Sequence, residues 1–231
     1  IKRPVQVQRV AFENGATGGE GPGNLAGKQL DPEETENYEI GAKADLFGQR
    51  LSLTGAIFQT KRQNAQIEIE DGIYAEAGET EVKGLELGFS GNVTPDWTVF
   101  GGYTYMDSEL VSGAYDNANL GDPLANTPKN SFSLFTTYRL LPKLSLGGGV
   151  YYVDDRFGGN QGGAGGGANG VYAPGYTRLD LFASYDVTDR ASLQLNVKNA
   201  TDEEYIMRTN GVHHADPAPT SQAILTLNVR F

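Results

Sequence analysis

Apolar and polar residues alternate along much of this chain, and the last nine residues show the pattern most clearly. Every second residue there is apolar: Ala223, Leu225, Leu227, Val229 and Phe231. Because side chains alternate between the two faces of a strand, one face of this segment is apolar and the other is polar. The apolar face suits contact with lipid, and the aromatic residue at the end of the chain suits a membrane interface. A strand at the rim of a soluble sheet alternates in the same way, so recurrence has to decide.

The same alternation recurs in eight further segments of the chain. The predicted strands cover residues 38–46, 51–66, 84–90, 97–106, 132–140, 144–152, 178–185 and 193–198. Residues 1–12 form a less regular tenth candidate, with valines set among Lys and Arg. The pattern therefore predicts an all-β fold of nine or ten strands.

The connections between the predicted strands alternate between short and long. Tight turns are predicted around residues 47–50, 94–96, 141–143 and 188–189, and long loops at 13–34, 108–128, 155–175 and 201–220. A barrel in an outer membrane carries short periplasmic turns at one end and long extracellular loops at the other. The connections thus favour a transmembrane, antiparallel up-and-down β-barrel over a soluble sandwich or propeller.

Aromatic and charged positions fit the same interpretation. Aromatics gather at strand ends, with Phe47, Trp97 and Tyr185 near the short turns and Tyr103 and Tyr152 near the long loops. Two such girdles are typical of barrels that meet both membrane interfaces. The opposite faces carry charges, which lipid would disfavour and a wet or plugged lumen would accept. These charges are Glu39, Lys43, Asp45, Glu86, Arg178, Asp180, Lys198 and Arg230.

Composition narrows the function classes. The 231 residues contain 31 Gly and no Cys, which favours many strands and turns and excludes a disulfide framework. No apolar run is long enough for a membrane helix, but alternating barrel strands average out in hydropathy. The net charge of −11 argues against nucleic acid as a partner, since phosphate contacts need a basic surface. The first residue is Ile1, and we expect a processed product or a fragment.

Catalytic and cofactor motifs find little support. Residues 163–168 match a dinucleotide pattern, but no helix is predicted after them, so a flexible loop is favoured. His213 and His214 are the only histidines and lack a third ligand at metal spacing. No nucleophile–histidine–acid set is recognisable around them. We expect no enzyme activity and no resident cofactor or metal.

The strand count leaves two possibilities open. Nine paired strands in an open sheet would leave two edges with unpaired backbone groups, which the bilayer core does not tolerate. Either residues 5–12 complete a small ten-stranded barrel, or the chain is the C-terminal part of a larger one.

Four phrases resemble one family. They are LDPEETENYEIGAKADLFGQRLSLTGAIFQTKRQN, VKGLELGFSGNVTPDWTVFGGYTYMDSEL, LANTPKNSFSLFTTYRL and LDLFASYDVTDRASLQLNVKNATDEEYI. In this order they are similar to the C-terminal barrel half of TonB-dependent siderophore receptors, over residues 30–231. The resemblance implies a barrel of twenty-two strands around a plug, of which residues 1–231 supply about the last nine or ten strands and no plug domain.

The resemblance also implies a function and a set of partners. It indicates an outer-membrane, multi-pass receptor and transporter for a ferric siderophore, suspected to be of the catecholate type, with iron carried inside the ligand. The implied partners are TonB, engaged through the missing N-terminal part, outer-membrane lipid and lipopolysaccharide, and the outer-membrane assembly machinery, which reads Phe231. The alternatives are a passive or adhesive ten-stranded barrel and a surface receptor for a protein partner.

Candidate ligand contacts follow from ligand chemistry. Siderophore chelates are commonly anionic and aromatic, so cationic and aromatic side chains at the barrel mouth are expected contacts. The predicted outer loops supply Tyr115, Arg156, Tyr172, Arg208, His213 and His214. Each alone is consistent with an ordinary surface residue. As a set they predict a ligand site, because the loops of a closed barrel converge on one vestibule.

Overall fold

The computed structural model describes residues 5–12, 33–64, 66–70, 73–76, 78–113, 118–162 and 169–231. Its regular elements are sixteen β-strands. They are β1 Val5–Phe12, β2 Glu33–Leu46, β3 Leu51–Gln63, β4 Gln66–Glu70, β5 Ile73–Glu76, β6 Gly78–Thr94, β7 Trp97–Gly113, β8 Asn130–Leu141, β9 Leu144–Val153, β10 Arg156–Asn160, β11 Gly170–Ala173, β12 Tyr176–Thr188, β13 Ala191–Lys198, β14 Ile206–Asn210, β15 His214–Pro217 and β16 Gln222–Val229. Within the described ranges, no helix is long and apolar enough to span a membrane.

Ten of these strands form one antiparallel sheet in the order β1-β2-β3-β6-β7-β8-β9-β12-β13-β16. Three two-stranded hairpins, β4–β5, β10–β11 and β14–β15, lie within the long connections. The predicted all-β, up-and-down architecture is therefore confirmed. The segment at residues 1–12 does contain a strand, β1, which pairs with β2.

The register explains why the sequence alternates. Ala183 pairs with Leu195, and Leu195 pairs with Leu225, so apolar side chains line up across three strands on one face. The next row, Asn196 with Phe182 and Ile224, belongs to the other face. A shift of one residue would exchange the two faces, so the alternation fixes the register.

Of the apolar side chains described in the ten-stranded sheet, only Val99 and Leu110 are buried. Its outward apolar residues are exposed; Leu225 and Leu227 keep 69% and 61% of their surface. Among the described residues, the buried apolar cluster consists of Leu110, at the upper end of β7, and of Ala118 and Phe157, in the long connections. An exposed apolar face of this extent marks a surface that contacts another phase or another molecule. Together with the girdles, it fits a face that meets lipid.

The short connections lie at one end of the sheet and consist of residues 47–50, 95–96, 142–143 and 189–190. In the first of them Phe47, Gly48 and Gln49 have positive φ angles of 52°, 68° and 69°, which lets the chain reverse over four residues. The Arg50 amide then donates to the Leu46 carbonyl at 3.1 Å. The predicted alternation of short and long connections is confirmed.

The structure corrects several predicted boundaries. β7 runs to Gly113, so residues 108–113 are strand rather than loop. β3 ends at Gln63 rather than near Gln66. The loops predicted at 155–175 and 201–220 contain the β10–β11 and β14–β15 hairpins. The predicted loop at 13–34 ends where β2 begins, at Glu33, and residues 13–32 of it lie outside the described part of the chain.

The upper ends of the long strands rise above the lipid-facing band. A tilted membrane strand needs about 9–11 residues to cross, whereas β6 and β7 have 17 each. The paired Ile57 and Leu85 are the last aliphatic pair on the outward face of β3 and β6, and the pair Lys61 and Glu81 stands four residues further up. Hydrogen bonds from Lys83 and Gln59 lower the pKa of the Glu81 carboxyl, so this rim is charged at neutral pH.

The sheet is open. β1 and β16 occupy its two edges, and β1 is paired with β2 and β16 with β13. Within the described residues, the chain therefore forms an open wall and not the closed ten-stranded barrel, one of the two possibilities that the strand count had left. A membrane wall of this kind needs further strands to pair both edges.

Candidate functional site

Three long connections, at the end of the sheet opposite the short turns, fold against one another. We call the described residues of 114–129, 154–175 and 199–221, with the upper end of β7, the loop platform. Its core is formed by Leu110, Ala118 and Phe157, each at most 3% exposed. The Phe157 ring also lies 5.4 Å from the ring of Tyr172, which caps the core on the solvent side. Among the described residues, four of the five buried apolar side chains lie in the platform: Leu110, Ala118, Phe157 and Ala173.

Asn126 joins all three connections. Its side-chain Nδ2 donates to the Thr209 carbonyl at 2.7 Å, and its Oδ1 accepts from the Thr209 amide at 2.8 Å. Its own amide donates to the Phe157 carbonyl at 2.9 Å. The Asn126 backbone has a φ of 56°, a conformation that Asn tolerates better than most residues. One residue thus ties the first connection to the second and the third.

Asp122 makes a second link. Its Oδ2 accepts from Asn160 Nδ2 at 2.6 Å and from the Asn119 amide at 2.7 Å. Its backbone carbonyl accepts from the Leu110 amide at 3.0 Å. The β10 strand is therefore held to the first connection at both of its ends.

Arg156 is the predicted ligand contact whose placement differs most from expectation. Its side chain is 5% exposed, and its guanidinium donates to the carbonyls of Ile206 and Met207. The guanidinium carbon also lies 5.7 Å from the Tyr176 ring centroid. The Arg156 guanidinium is thus buried inside the platform and bonded to backbone carbonyls. Direct contact with a ligand would require these hydrogen bonds to break.

Directly below the platform, a cluster of aromatic and cationic side chains lines the inner face of the sheet. Tyr176 and Tyr205 stack with ring centroids 3.9 Å apart and planes at 20°. The Arg178 guanidinium lies 4.3 Å from the Tyr151 ring centroid, and its Nη1 is 3.4 Å from the Tyr205 hydroxyl. Tyr151 and Arg178 are direct partners in the β9–β12 register, which brings them together. We call Tyr151, Tyr176, Arg178 and Tyr205 the aromatic cluster.

The charge in this cluster is balanced. Arg178 Nη2 donates to Asp180 Oδ2 at 3.1 Å, and Nε lies 3.0 Å from Oδ1 without hydrogen-bond alignment. Asp180 Oδ1 also accepts from the Asn199 amide at 2.9 Å. The arrangement offers flat aromatic faces beside a half-buried guanidinium, which suits stacking of an aromatic ligand with delocalised negative charge.

Four of the remaining predicted contacts are exposed at the surface of the loop platform. Tyr172 is half exposed, and His213 and His214 are exposed at the tip of the β14–β15 hairpin. Arg208 pairs with Asp216 across that hairpin, with Nε and Oδ2 2.5 Å apart. Tyr115 lies outside the described residues. Phe231 follows the last strand and is fully exposed.

Asp154, at the base of the second connection, holds a proton-sensitive junction. Asn130 Nδ2 donates to its Oδ2 at 2.6 Å, and the Tyr152 hydroxyl donates to its Oδ1 at 2.8 Å. These two hydrogen bonds lower the pKa of the Asp154 carboxyl. In the described residues, no group of three or more His, Asp or Glu side chains could hold a metal ion. The glycine-rich dinucleotide pattern at 163–168 lies outside the described residues.

Sequence reasoning missed the aromatic cluster. It treated Arg178 as a lumen charge and did not single out Tyr151, Tyr176 or Tyr205. A partial signal was available, because Arg178 in the predicted strand 178–185 and Tyr151 in the neighbouring predicted strand lie on the same face, and Tyr176 lies only two residues before Arg178. Nothing in the local pattern placed Tyr205 there, since it lies in a connection 29 positions after Tyr176.

An open antiparallel wall with an apolar outer face, short turns at one end and folded loops at the other defines a class of protein, the outer-membrane β-barrel. The comparisons with known proteins agree. The family model described as "TonB dependent receptor-like, beta-barrel" matches residues 3–200. The chain belongs to this family, which comprises receptors and transporters rather than enzymes.

Named relatives match at the level of sequence and of structure. The probable TonB-dependent siderophore receptor PiuA of Acinetobacter baumannii is 37% identical over 217 residues, 90% of this chain and 28% of PiuA. The catecholate siderophore receptor Fiu of Escherichia coli K12 is 31% identical over 233 residues, 100% of this chain and 30% of Fiu. The chain thus spans less than a third of these relatives.

Solved structures of both relatives superimpose on this chain. The crystal structure of PiuA gives a TM-score of 0.78 at 37% identity and covers 89% of this chain and 30% of that one. The closed form of Fiu gives 0.77 at 30% identity and covers 94% of this chain and 30% of that one. The wall described above is therefore part of a barrel of this kind.

Proposed function

We propose that the full-length protein is an outer-membrane receptor that imports a ferric siderophore of the catecholate type, with energy supplied through TonB. The family match over residues 3–200 is the observation that carries this proposal. The names of PiuA and Fiu, both siderophore receptors, support the ligand class. Iron enters as cargo inside the chelate, and the protein needs no resident cofactor for this task.

Residues 1–231 supply wall and loops to the receptor. The open edges at β1 and β16 would pair with the remaining strands of a barrel of about twenty-two. A plug domain outside this chain would fill the lumen and engage TonB. An aromatic row on the inner face supports this, since Phe100 lies 5.2 Å from Phe135 and Phe135 lies 6.0 Å from Phe182. Apolar rings in a wet lumen favour a covering domain.

The outward surfaces define the membrane partners. The ten strands of the main sheet would each cross the outer membrane, with their apolar faces toward lipid. The charged rim formed by Lys61, Lys83 and Glu81 would face lipopolysaccharide head groups. Phe231, at the end of the closing strand, would be read by the outer-membrane assembly machinery.

The chelate would meet two layers of side chains. Four exposed residues of the loops, Tyr172, Arg208, His213 and His214, would give the first contact. Tyr115, outside the described residues, is proposed to join them on the basis of its sequence position. The aromatic cluster would then hold the catecholate rings by stacking and by the Arg178 guanidinium. Arg156 would contribute through the packing of the platform, because its guanidinium is bonded to backbone carbonyls.

Uptake of radiolabelled iron tests the proposal in cells that express the full-length protein as their sole siderophore receptor. We expect uptake of a ferric catecholate chelate in iron-starved cells, with loss of uptake when either the receptor or TonB is deleted. A passive barrel would give uptake that persists without TonB. No uptake of any ferric chelate, with normal surface expression, would reject the transport function and favour a receptor for a protein.

A further inference from the structure

We propose that the loop platform is a preassembled body that stays closed while the ligand is captured, and that Asn126 and Arg156 are positioning residues which hold Tyr205 in the aromatic cluster. This inference rests on the proposed function for its ligand. Its structural part concerns three connections that are far apart in the sequence and bonded to one another through buried polar groups.

Hydrogen bonds through buried groups hold the three connections together. The side-chain amide of Asn126 bonds to both the backbone N–H and the backbone carbonyl of Thr209, as a neighbouring strand would. Thr209 is 8% exposed, so water would not easily replace these bonds. The backbone N–H of Asn126 donates in turn to the Phe157 carbonyl. Moving any one connection away would leave buried polar groups of another without partners, which is unfavourable.

Arg156 extends this bonding to the residues next to Tyr205. The carbonyls that Arg156 binds belong to Ile206 and Met207, the two residues that follow Tyr205 directly. On the other side, the Tyr205 carbonyl accepts from the Ala218 amide at 2.8 Å. Tyr205 is therefore fixed on its C-terminal side by the second connection and through its carbonyl by the third. Its ring is held against Tyr176, and its hydroxyl faces Arg178.

A platform that is closed before capture and a platform that assembles around the ligand would behave differently during transport. If the platform is already closed, capture needs no folding of these three connections, and gating has to come from other parts of the receptor. A platform that assembled only around the ligand would instead separate and rejoin in each transport cycle. A covalent link between two connections distinguishes these cases.

Gly158 and Thr209 provide the link. A Cβ atom placed on Gly158 would lie 3.2 Å from Thr209 Oγ1 and 3.4 Å from its Cγ2. Cysteines at both positions would thus face each other across the second and third connections at a spacing that suits a disulfide. The residues 1–231 contain no cysteine to compete. Thr209→Cys keeps the two backbone bonds to Asn126 but removes the Thr209 hydroxyl, which donates to Asn126 Oδ1 at 3.2 Å, and the single Thr209→Cys variant controls for that loss.

The experiment uses the full-length receptor with Gly158→Cys and Thr209→Cys, and each single variant as control. We expect the disulfide to form in the ligand-free receptor, and the oxidised double variant to take up a ferric catecholate within about twofold of its reduced form. Uptake lost on oxidation and restored by an impermeant reductant would overturn the proposal. Failure of the two cysteines to pair in surface-exposed receptor would also overturn it.

Hydrogen exchange on the unmodified receptor gives an independent test if the double variant does not assemble. We expect the Thr209 amide to be protected before ligand is added, with little change afterwards, and Asn126→Ala to remove that protection. Protection that arises only with ferric catecholate would contradict preassembly.

For Arg156, Arg156→Ala should weaken chelate binding and Arg156→Lys should restore part of it. Chelate binding by Arg156→Ala equal to that of the unmodified receptor would contradict the positioning role.

These outcomes separate the two proposals. An unmodified receptor that imports no ferric chelate would reject the proposed function, while disulfide formation and exchange in the free receptor would still report on the platform. Normal import by the unmodified receptor with no import by the oxidised one would reject only the closed platform.

Discussion

Tyr205 has two contacts that substitutions can separate. Its ring stacks on Tyr176, and its hydroxyl lies near Arg178. Tyr205→Phe keeps the stack, whereas Tyr205→Ala removes it. Since an aromatic pair contributes about 0.5–1.5 kcal/mol, we expect Tyr205→Ala to weaken ferric catecholate binding roughly tenfold and Tyr205→Phe to stay within about twofold. Titration of purified full-length receptor measures both, and equal affinity in all three proteins would exclude the cluster from the ligand site.

Asp154 should make the second connection sensitive to acid. Hydrogen bonds from Asn130 and Tyr152 lower its folded-state pKa below that of the unfolded chain, near 3.9. Its contribution to stability is therefore present above that value and is lost as the pH falls through the folded-state pKa. We expect Asp154→Asn to reduce the difference in stability between pH 6 and pH 3 relative to the unmodified receptor. Melting curves of detergent-solubilised full-length protein measure this, and an unchanged pH dependence would show that Asp154 does not titrate on unfolding.

At the scale of elements, β13 offers a matched pair of positions on opposite faces. Leu195 faces outward between Ala183 and Leu225, and Asn196 faces inward beside Phe182. An arginine on the lipid face costs about 2–4 kcal/mol near the bilayer midplane. We therefore expect Leu195→Arg to impair insertion into lipid vesicles, and Asn196→Arg to be much milder. Equal effects on folding yield would show that the inward and outward faces are assigned wrongly.

The elements also show where sequence prediction reached its limit. The ten-strand wall follows from the period-two pattern, because lipid demands apolar side chains on one face along every strand. The end of β7 at 108–113 was missed, since above the membrane Ser108 and Glu109 no longer obey that demand. The β10–β11 and β14–β15 hairpins were missed because their strands are only four or five residues long.

The candidate site was less predictable for a different reason. Arg156 is a cation in a glycine-rich loop, which suggests exposure, yet its partners are carbonyls 50 and 51 positions further along the chain. Backbone carbonyls leave no mark in a sequence pattern, so no local signal could indicate them. Arg178 and Tyr151 were within reach of prediction because strand pairing brings them together, whereas the stack of Tyr205 on Tyr176 depends on the fold of the whole platform.

At the scale of the whole molecule, the open edges of the wall predict that residues 1–231 are not an autonomous barrel. β1 and β16 would each present unpaired backbone groups to lipid or detergent. Expressed alone, the chain should be protease-sensitive in detergent and should not show the heat-dependent gel shift of a closed barrel, whereas the full-length receptor should. A compact, heat-modifiable monomer of residues 1–231 would favour closure by ten strands.

The central claim is that this wall and its loops belong to a receptor that selects a ferric catecholate. Equilibrium binding by the purified full-length receptor tests it most directly, with a ferric tris-catecholate compared with a ferric tris-hydroxamate of similar size. The account predicts saturable, submicromolar binding of the catecholate and at least tenfold weaker binding of the neutral hydroxamate, since the tyrosine rings and the N–H donors of Arg178 suit an anionic aromatic ligand. No binding of either chelate, or tighter binding of the hydroxamate, would contradict it.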